Sequence, residues 1–347
     1  MDRRLYRRML ISMAVWIICM AIWMTGCTTS PTSTFSASSW GTDTTSKTAF
    51  EVISKSLTDQ NARARTSAIE AVATARLLNF VPQVHLLMRD PVVPVRFSAL
   101  VAMGDLQYTP AQPDCQQIFS EPREDANVKL AAAYALVRMG QTGYLEPLRQ
   151  GLNDTQPSVR SNAAFLIGKA GDQESLERLH QILTAPDTDE QTSRQIIDSL
   201  AQLHDNRIYK TLWAQLISLF ADDRIQGIRG MGYLGHNQAQ KAIATKLNDD
   251  IPEVRLAAAE ELAKFGDNQG EPVIMDILRH QLNEQTTGPQ ADDTDRVRLY
   301  VMASMAIGRI NSEPARRYLP KLLHDPSPFV RIAAAEAVLL NHFQFRR

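Results

Sequence analysis

The chain has 347 residues, of which 44% are hydrophobic and 7% aromatic, enough apolar material for two or three ordinary domains. Its formal net charge is −1, and removal of residues 1–26, with four arginines and one aspartate, leaves 33 basic and 37 acidic residues and a charge of −4. A chain with this balance lacks the basic surface that nucleic acid or anionic lipid requires of its main partner.

The first 26 residues have the order of an export signal. Arginines at positions 3, 4, 7 and 8 precede an apolar run from Met9 to Met24, and small residues follow. The run of about 16 residues is short for a membrane-spanning helix, which needs roughly 20. We therefore expect a signal peptide over 1–26 that is cleaved before Cys27, in preference to an uncleaved membrane helix.

The stretch Met24-Thr25-Gly26-Cys27 resembles the lipobox of bacterial lipoproteins, although that family prefers Leu where this chain has Met24. In the family the cysteine is acylated and becomes the mature N-terminus. The resemblance therefore implies lipidation of Cys27, and the acyl chains give stable membrane anchorage. Thr28 is not the aspartate that retains members of the family in the inner membrane. By the same analogy we expect an outer-membrane anchor that faces the periplasm.

Residues 27–48 hold the lipidated cysteine and a Ser/Thr-rich stretch with almost no aliphatic side chains. Such a stretch buries too little apolar surface to fold, so it predicts a flexible tether. The folded part is then expected over 49–347. It contains one cysteine, Cys115, which we interpret as a small buried side chain; a reactive thiol is the alternative.

The folded part repeats one helix pair. Each unit has an Ala-rich first helix, a turn and a Leu-rich second helix, and the units recur at intervals of 31 or 33 residues except for one interval of 43. Stacking neighbours buries the apolar face that one pair leaves exposed, and no sustained alternation predicts a sheet. The sequence therefore predicts an all-α solenoid of about nine units. The recurring positions are Arg65, Arg96, Lys129, Arg160, Ser193, Arg224, Arg255, approximately Arg298, and Arg331.

Residues 90–105, 154–172 and 325–338 resemble HEAT repeats of the short type also found in phycobilin lyases. The resemblance covers 49–347 and implies a right-handed α-solenoid whose second helices line an inner, partner-binding face. It implies no reaction. It also implies that an aspartate before the first helix and an arginine inside that helix help to lock adjacent units. The corresponding pairs are Asp90 with Arg96, Asp154 with Arg160, Asp250 with Arg255, and Asp325 with Arg331.

The sequence contains no pattern typical of catalysis or metal binding. None of the seven histidines is followed by Glu, which distinguishes the chain from the HEAT-type iron hydroxylases, and cysteine is too scarce for a zinc site. The acidic stretch at 291–295 lacks the alternate ligands of a calcium loop and belongs to a polar insertion, 281–295, that predicts a mobile loop. We expect no enzymatic activity, no cofactor and no metal.

Trp213 and the end of the chain each leave an alternative open. Apolar residues at helical spacing through 209–220 predict a core position for Trp213, and the alternative is an aromatic anchor for a partner on the inner face. After the last first helix no second helix follows to cover it. We expect Phe343 and Phe345 to fold back as a cap, with pairing to another molecule as the alternative.

The unit at 221–236 is unusual because Gly227, Gly230 and Gly232 lie inside its predicted first helix. Each glycine in a helix costs up to about 1 kcal/mol relative to alanine, so a compensating role is expected. We interpret these glycines as sites of tight packing against a neighbour. A hinge, or backbone exposed to a ligand, is the alternative.

Together these features predict a lipoprotein whose solenoid binds another protein of the bacterial cell envelope without catalysis. A lyase or isomerase related to the phycobilin-lyase proteins is the alternative, although the export signal and the lack of a polar cluster weigh against it. Nucleic-acid binding, as in HEAT-like DNA glycosylases, is disfavoured by the mature charge of −4.

Overall fold

The computed structural model describes residues 44–283, 293–310 and 312–344, and within these ranges the ordered elements are helices and no strand occurs. The prediction of an all-α solenoid is confirmed. The signal peptide, Cys27, the tether as far as residue 43 and Phe345 lie outside the described residues. A helix begins at Thr44, so residues 44–48, assigned to the tether from their composition, belong to the folded unit.

The α-helices of the described ranges form pairs in chain order. Most second helices begin with a short 3₁₀ turn, such as Leu78–Phe80 before the first of them. The helices are α1 (Thr44–Ser56), α2 (Ala62–Thr74), α3 (Val81–Leu87), α4 (Val93–Asp105), α5 (Gln112–Ser120), α6 (Ala126–Arg138), α7 (Leu145–Gly151), α8 (Pro157–Ala170), α9 (Leu176–Thr184), α10 (Glu190–Gln202), α11 (Tyr209–Leu216), α12 (Ala221–Leu234), α13 (Asn237–Ala244), α14 (Pro252–Lys264), α15 (Glu271–Asn283), α16 (Asp293–Ile310), α17 (Glu313–Arg316), α18 (Leu319–Leu322) and α19 (Pro328–Gln344).

Local sequence explains where the helices begin and end. Proline occupies the first turn of α4, α8 and α14, where its missing N–H leaves no carbonyl unpaired. The Asn61 side chain accepts a 2.9 Å hydrogen bond from the Arg63 amide and caps α2. At the other end, Gly171 adopts a left-handed φ of 77° after α8, and His204 adopts 57° after α10. His204 therefore takes the helix-end position that glycine takes elsewhere.

The first helices form the inner wall of the fold. They are α2, α4, α6, α8, α10, α12, α14, α16 and α19, and each packs against the next, whereas the second helices pack mainly on first helices. Close approach depends on small side chains: a Cβ added to Gly168 would lie 2.9 Å from the Ser199 Cα, and one on Gly104 would lie 3.0 Å from the Ala135 Cα. Side chains of alternate first helices also reach one another, as Lys169 of α8 reaches Asp105 of α4 at 2.9 Å, so the first helices line the inside of the ring. The expectation that second helices line the inner face is therefore wrong.

The row of units closes on itself. The last first helix, α19, packs against α16 on one side and against α2 on the other, and α1 covers it as a second helix would. Ala49, Ile53 and Leu57 of this N-terminal segment are fully buried. The last first helix is thus covered by α1. The cap expected from Phe343 and Phe345 stays a prediction, because the side chain of Phe343 and the whole of Phe345 lie outside the described residues. The described residues form a closed ring of nine first helices.

The glycine-rich helix α12 shows the tight packing predicted for it. A Cβ on Gly227 would lie 3.0 Å from the Leu212 carbonyl oxygen of α11, and one on Gly230 would collide with the Leu212 side chain. The long insertion is narrower than the predicted 281–295, because α15 continues to Asn283 and α16 begins at Asp293. Residues 284–292 lie outside the described ranges.

Candidate functional site

Arginine–carboxylate pairs join consecutive units of the ring. In α2, Arg65 donates two hydrogen bonds of 2.8 Å to the Asp90 carboxylate of the next unit and one of 2.7 Å to the Asp59 carbonyl oxygen of its own loop. A bidentate pair of this kind fixes orientation as well as distance. Equivalent pairs across four other junctions are Arg96 with Glu124, Arg160 with Asp189, Arg224 with Asp249, and Arg296 with Asp325.

The residues assigned to unit locking take distinct roles in this arrangement. Within one unit the arginine binds the aspartate's backbone: Arg96, Arg160 and Arg331 donate to the carbonyl oxygens of Asp90, Asp154 and Asp325 respectively. The carboxylates of Asp90 and Asp325 instead face backwards, to the arginine of the preceding unit. The carboxylate of Asp154 accepts from the Gln156 amide at 2.8 Å and closes a turn in the loop before α8.

At two junctions the residue that forms the ion pair lies one or two positions away from the residue predicted from the repeat. Asp250 contacts Arg224 at 3.0 Å and is largely exposed, while its neighbour Asp249 is the buried acceptor. The buried Nε of Arg255 has no hydrogen-bond partner among the described residues. In α16 the arginine that pairs with the next unit is Arg296, two residues before the assigned Arg298, because the insertion before α16 removes the regular spacing that located the other arginines.

An exposed group of large apolar side chains lies on the outer wall, at the end of α11. Trp213 is 45% exposed, Ile217 66%, Leu219 94% and Phe220 72%. We call these four residues the outer apolar surface. The Tyr209 ring stacks on Trp213 with 6.4 Å between ring centroids and lies 5.5 Å from the ring of His236, the residue that caps α13. The core position predicted for Trp213 is wrong, and its exposure fits the alternative of an aromatic anchor, although on the outer face.

Hydrogen bonds from α12 side chains fix the loop that presents Leu219 and Phe220. Buried Arg224 donates to the carbonyl oxygens of Ser218 at 3.0 Å and Leu219 at 3.2 Å, and also pairs with Asp249. The Ser218 hydroxyl donates to the Asp223 carboxylate at 2.8 Å. These bonds fix the loop backbone, so the two apolar side chains are exposed by the loop's geometry and not by fraying of α11.

A positional signal in the sequence marks this surface. Five residues before the recurring arginine, other units have Pro91, Thr155 or Pro326, and this unit has Leu219. Helical periodicity extended over 209–220 concealed that difference. The periodicity does not apply after Leu216, because α11 ends there. Comparison of loop positions between units identifies Leu219 and Phe220 where periodicity within one unit does not.

The inner wall carries charged side chains from alternate first helices. Lys169 of α8 pairs with Asp105 of α4 at 2.9 Å, and Arg298 of α16 pairs with Asp222 of α12. Burial on this wall, together with the nearby carboxylates of Glu260 and Glu70, raises the pKa of Glu336 in α19 to about 7 against the opposing charges of Arg309 and Lys264. Side chains two units apart therefore interact electrostatically along the inside of the ring.

A cavity of about 540 Å³ opens on the inner wall between α10, α12 and α16. We call it the inner cavity. Its charged lining includes Arg194, Arg229 and Asp198, and burial raises the pKa of Asp198 to about 6. Its volume lies within the range of small-molecule sites.

Other candidate chemistry is limited in the described ranges. Cys115 is fully buried, and burial raises the pKa of its thiol to about 12, so its interpretation as a buried side chain is confirmed. No group of His, Cys, Asp or Glu side chains in this part of the chain is arranged to hold a metal ion. No helix between residues 44 and 344, as far as these are described, combines the length and apolarity needed to cross a bilayer.

Comparison with known families agrees with the repeat. A family model described as HEAT repeats matches residues 145–223 and 209–291, and one described as the PBS lyase HEAT-like repeat matches 128–154. The resemblance to short HEAT repeats is confirmed by these matches. A search of curated protein sequences finds no significant match.

Solved structures give distant similarities. Human deoxyhypusine hydroxylase in complex with glycerol is 19% identical, with 78% of this chain and 99% of that chain covered and a TM-score of 0.38. The complex of CpcE and CpcF of phycocyanin lyase from Nostoc sp. PCC7120 is 13% identical, with 75% and 94% covered and a TM-score of 0.40. Similarities at this distance carry no information about activity.

Proposed function

The chain is a HEAT-repeat protein, and we propose that it is a membrane-anchored scaffold of the bacterial cell envelope that binds another protein through its outer apolar surface. In this proposal the ring performs no catalysis. The single observation that carries the binding role is the exposure of Trp213, Ile217, Leu219 and Phe220 on one helix end and its loop.

The composition and rigidity of the outer apolar surface suit protein binding. Large apolar side chains rarely stay exposed as a group on a protein that works alone, and tryptophan is prominent among the residues that dominate binding energy. The loop is already fixed by Arg224, so little conformational entropy is lost when a partner covers it. The expected partner presents an apolar face of its own.

The proposed anchor is the lipid on Cys27, suggested by the lipobox-like Met24-Thr25-Gly26-Cys27 and the preceding apolar run. Residues 28–43 link that cysteine to α1, the helix that completes the ring. Anchorage in the outer membrane with the ring in the periplasm follows from Thr28 only by family analogy. We expect mass spectrometry of the mature N-terminus to find an acylated Cys27, and a Cys27→Ala variant that stays membrane-bound would contradict this anchor.

Affinity purification from the source bacterium tests the binding role. The full chain is purified from crosslinked membranes as wild type, as the triple variant Ile217→Ser/Leu219→Ser/Phe220→Ser, and as the matched variant Leu78→Ser/Leu86→Ser. Leu78 and Leu86 are also exposed apolar side chains, 62% and 77%, but lie on another second helix. We expect a defined set of envelope proteins to be lost from the triple variant and retained by the matched one. Equal recovery from all three proteins would overturn the assignment.

A further inference from the structure

The inner cavity combines a cationic side with an apolar side. Three first helices, α10, α12 and α16, contribute its lining, and the second helices contribute none of it. Its charged residues are three arginines and two aspartates, which gives an excess of one positive charge when all are ionised. The lining residues are Arg194, Asp198, Asp222, Ile225, Gln226, Arg229, Arg298, Val301, Met302 and Met305.

Most of these charges already have partners. Arg194 binds Glu190 at 2.8 Å and Asp223 at 3.1 Å, and Arg298 is paired with Asp222. Asp198 accepts a 3.2 Å hydrogen bond from the Gln226 amide. The cavity's carboxylates are therefore engaged, and they leave little capacity for a cationic ligand.

Arg229 differs from the other two arginines. It is exposed to the cavity side of α12 and forms no hydrogen bond or ion pair with any described residue. Its neighbours are the carboxylates of Asp198 and Glu261, which interact with it electrostatically without bonding to it. A free guanidinium at the edge of a cavity presents two parallel N–H donors, a geometry that matches carboxylate, sulfonate or phosphate oxygens.

The opposite side of the cavity is apolar. Met302 and Ile225 are buried at its base, and Val301 and Met305 are partly exposed to it. Methionine side chains are flexible and polarisable, so such a wall adapts to apolar ligands of different shapes. A ligand that used both sides would carry one anionic group and an apolar body.

We propose that the inner cavity binds a small amphiphilic anion, whose charged group pairs with Arg229 while its apolar body packs on Met302 and Met305. Binding at this site is independent of the protein-binding role, because the outer apolar surface lies on the second-helix wall. The ring then holds a ligand on its inner wall and a partner on its outer wall.

Fluorine NMR titration of the full chain in non-ionic detergent tests this site. The probe is 4-(trifluoromethyl)benzenesulfonate, which stays ionised at any pH used, and the uncharged comparison is 4-(trifluoromethyl)benzyl alcohol. We expect saturable binding of the sulfonate to the wild type and weaker binding of the alcohol. Arg229→Gln is expected to weaken sulfonate binding about tenfold or more, the loss typical of a charge-assisted hydrogen-bonded pair. Sodium octanoate is expected to compete with the probe.

Matched variants separate the site from partition into detergent. Arg317→Gln removes an exposed arginine of the outer wall that pairs with Glu313 and is expected to leave the affinity unchanged. Met305→Gln is expected to weaken the sulfonate about threefold through lost apolar contact. If Arg229→Gln does not fold, Arg229→Lys, which keeps the charge without the paired donors, is expected to weaken binding instead. Sulfonate binding that equals that of the alcohol, or that survives both Arg229 variants, would overturn the proposal.

Discussion

The inner and outer walls of the ring use apolar residues in opposite ways. On the inner wall, alanines and glycines such as Gly168 allow backbones to approach closely. The surface of that wall that faces the inside of the ring carries charged side chains. On the outer wall, large side chains such as Leu212 fill the space between helices, and a few, led by Leu219, remain exposed. Close backbone approach thus closes the ring on the inside, while the outer wall leaves apolar side chains exposed to solvent.

Closure of the ring by α1 is the feature whose loss is expected to cost most. Ile53→Asp places a charge at a fully buried position of the helix that covers α19, and we expect it to lower the free energy of unfolding by about 4 kcal/mol. Lys55→Asp, on the exposed side of the same helix, is expected to change it by less than about 0.5 kcal/mol. Urea denaturation of the two variants measures the difference.

The Ile53→Asp variant also shows whether loss of α1 affects only the helices next to it. With α1 detached, hydrogen exchange is expected to rise first in residues 328–340 and 62–74, the helices that α1 joins, and to stay slow in 157–202 on the far side of the ring. Equal acceleration throughout the described ranges would mean that α1 is not a separate closing element.

Two apolar positions, one inside α11 and one just after its end, are expected to behave differently. Leu212→Ser removes a fully buried side chain and should lower the free energy of unfolding by about 3 kcal/mol. Ile217→Ser removes one that solvent already reaches and should change it by no more than about 0.5 kcal/mol. Thermal unfolding of both compares core and surface on one helix end, and a large loss from Ile217→Ser would show that this side chain serves stability.

Two glycine-to-alanine variants compare how tightly the backbone is packed on the inner and outer walls. Gly168→Ala sets a Cβ 2.9 Å from the Ser199 Cα, a backbone atom that cannot move aside alone, so we expect a loss of about 2 kcal/mol. Gly143, at the start of a second helix, has nothing within 4 Å of such a Cβ, and its alanine variant is expected to be neutral or slightly stabilising. Similar melting temperatures for the two would contradict tight packing of α8 on α10.

The smallest expected effect is a pH dependence of the free energy of unfolding, caused by Glu336 on the inner wall. Because burial raises the pKa of Glu336 to about 7, the folded state binds this proton more tightly than the unfolded state, and stability falls as pH rises from about 5 to 7.5. The fall is expected to exceed that of Glu336→Gln by on the order of 1 kcal/mol. Denaturation curves of both proteins across this range measure it; parallel curves would place Glu336 in contact with water.

Sequence predicted the repeat well because each unit obeys local rules. The Ala-rich periodicity, the prolines in first turns and the recurring arginines all reflect contacts within a unit or between adjacent ones, as between Arg65 and Asp90. Closure by α1 could not be predicted in this way, since it joins the two ends of the chain, and a composition rich in Ser and Thr concealed the start of the helix at Thr44.

The candidate sites were less predictable than the fold. Periodicity placed Trp213 in a core because it treated 209–220 as one helix, whereas the chain leaves the helix after Leu216. The family resemblance led us to expect second helices on the inner wall, and this expectation was wrong. In this chain the first helices form that wall, and their backbones approach closely at Gly104 and Gly168. The inner cavity depends on Arg229 and Met305, residues 76 positions apart that only the ring brings together.

Photo-crosslinking in living cells tests the proposed binding role of the outer wall most directly. A photoreactive phenylalanine analogue is placed at Ile217 of the full chain or, as the control, at Gln181, an exposed polar position on the neighbouring second helix α9. We predict a crosslink to one or a few envelope proteins from position 217 that is missing from position 181. No crosslink from position 217, or the same products from both positions, would contradict binding through the outer apolar surface.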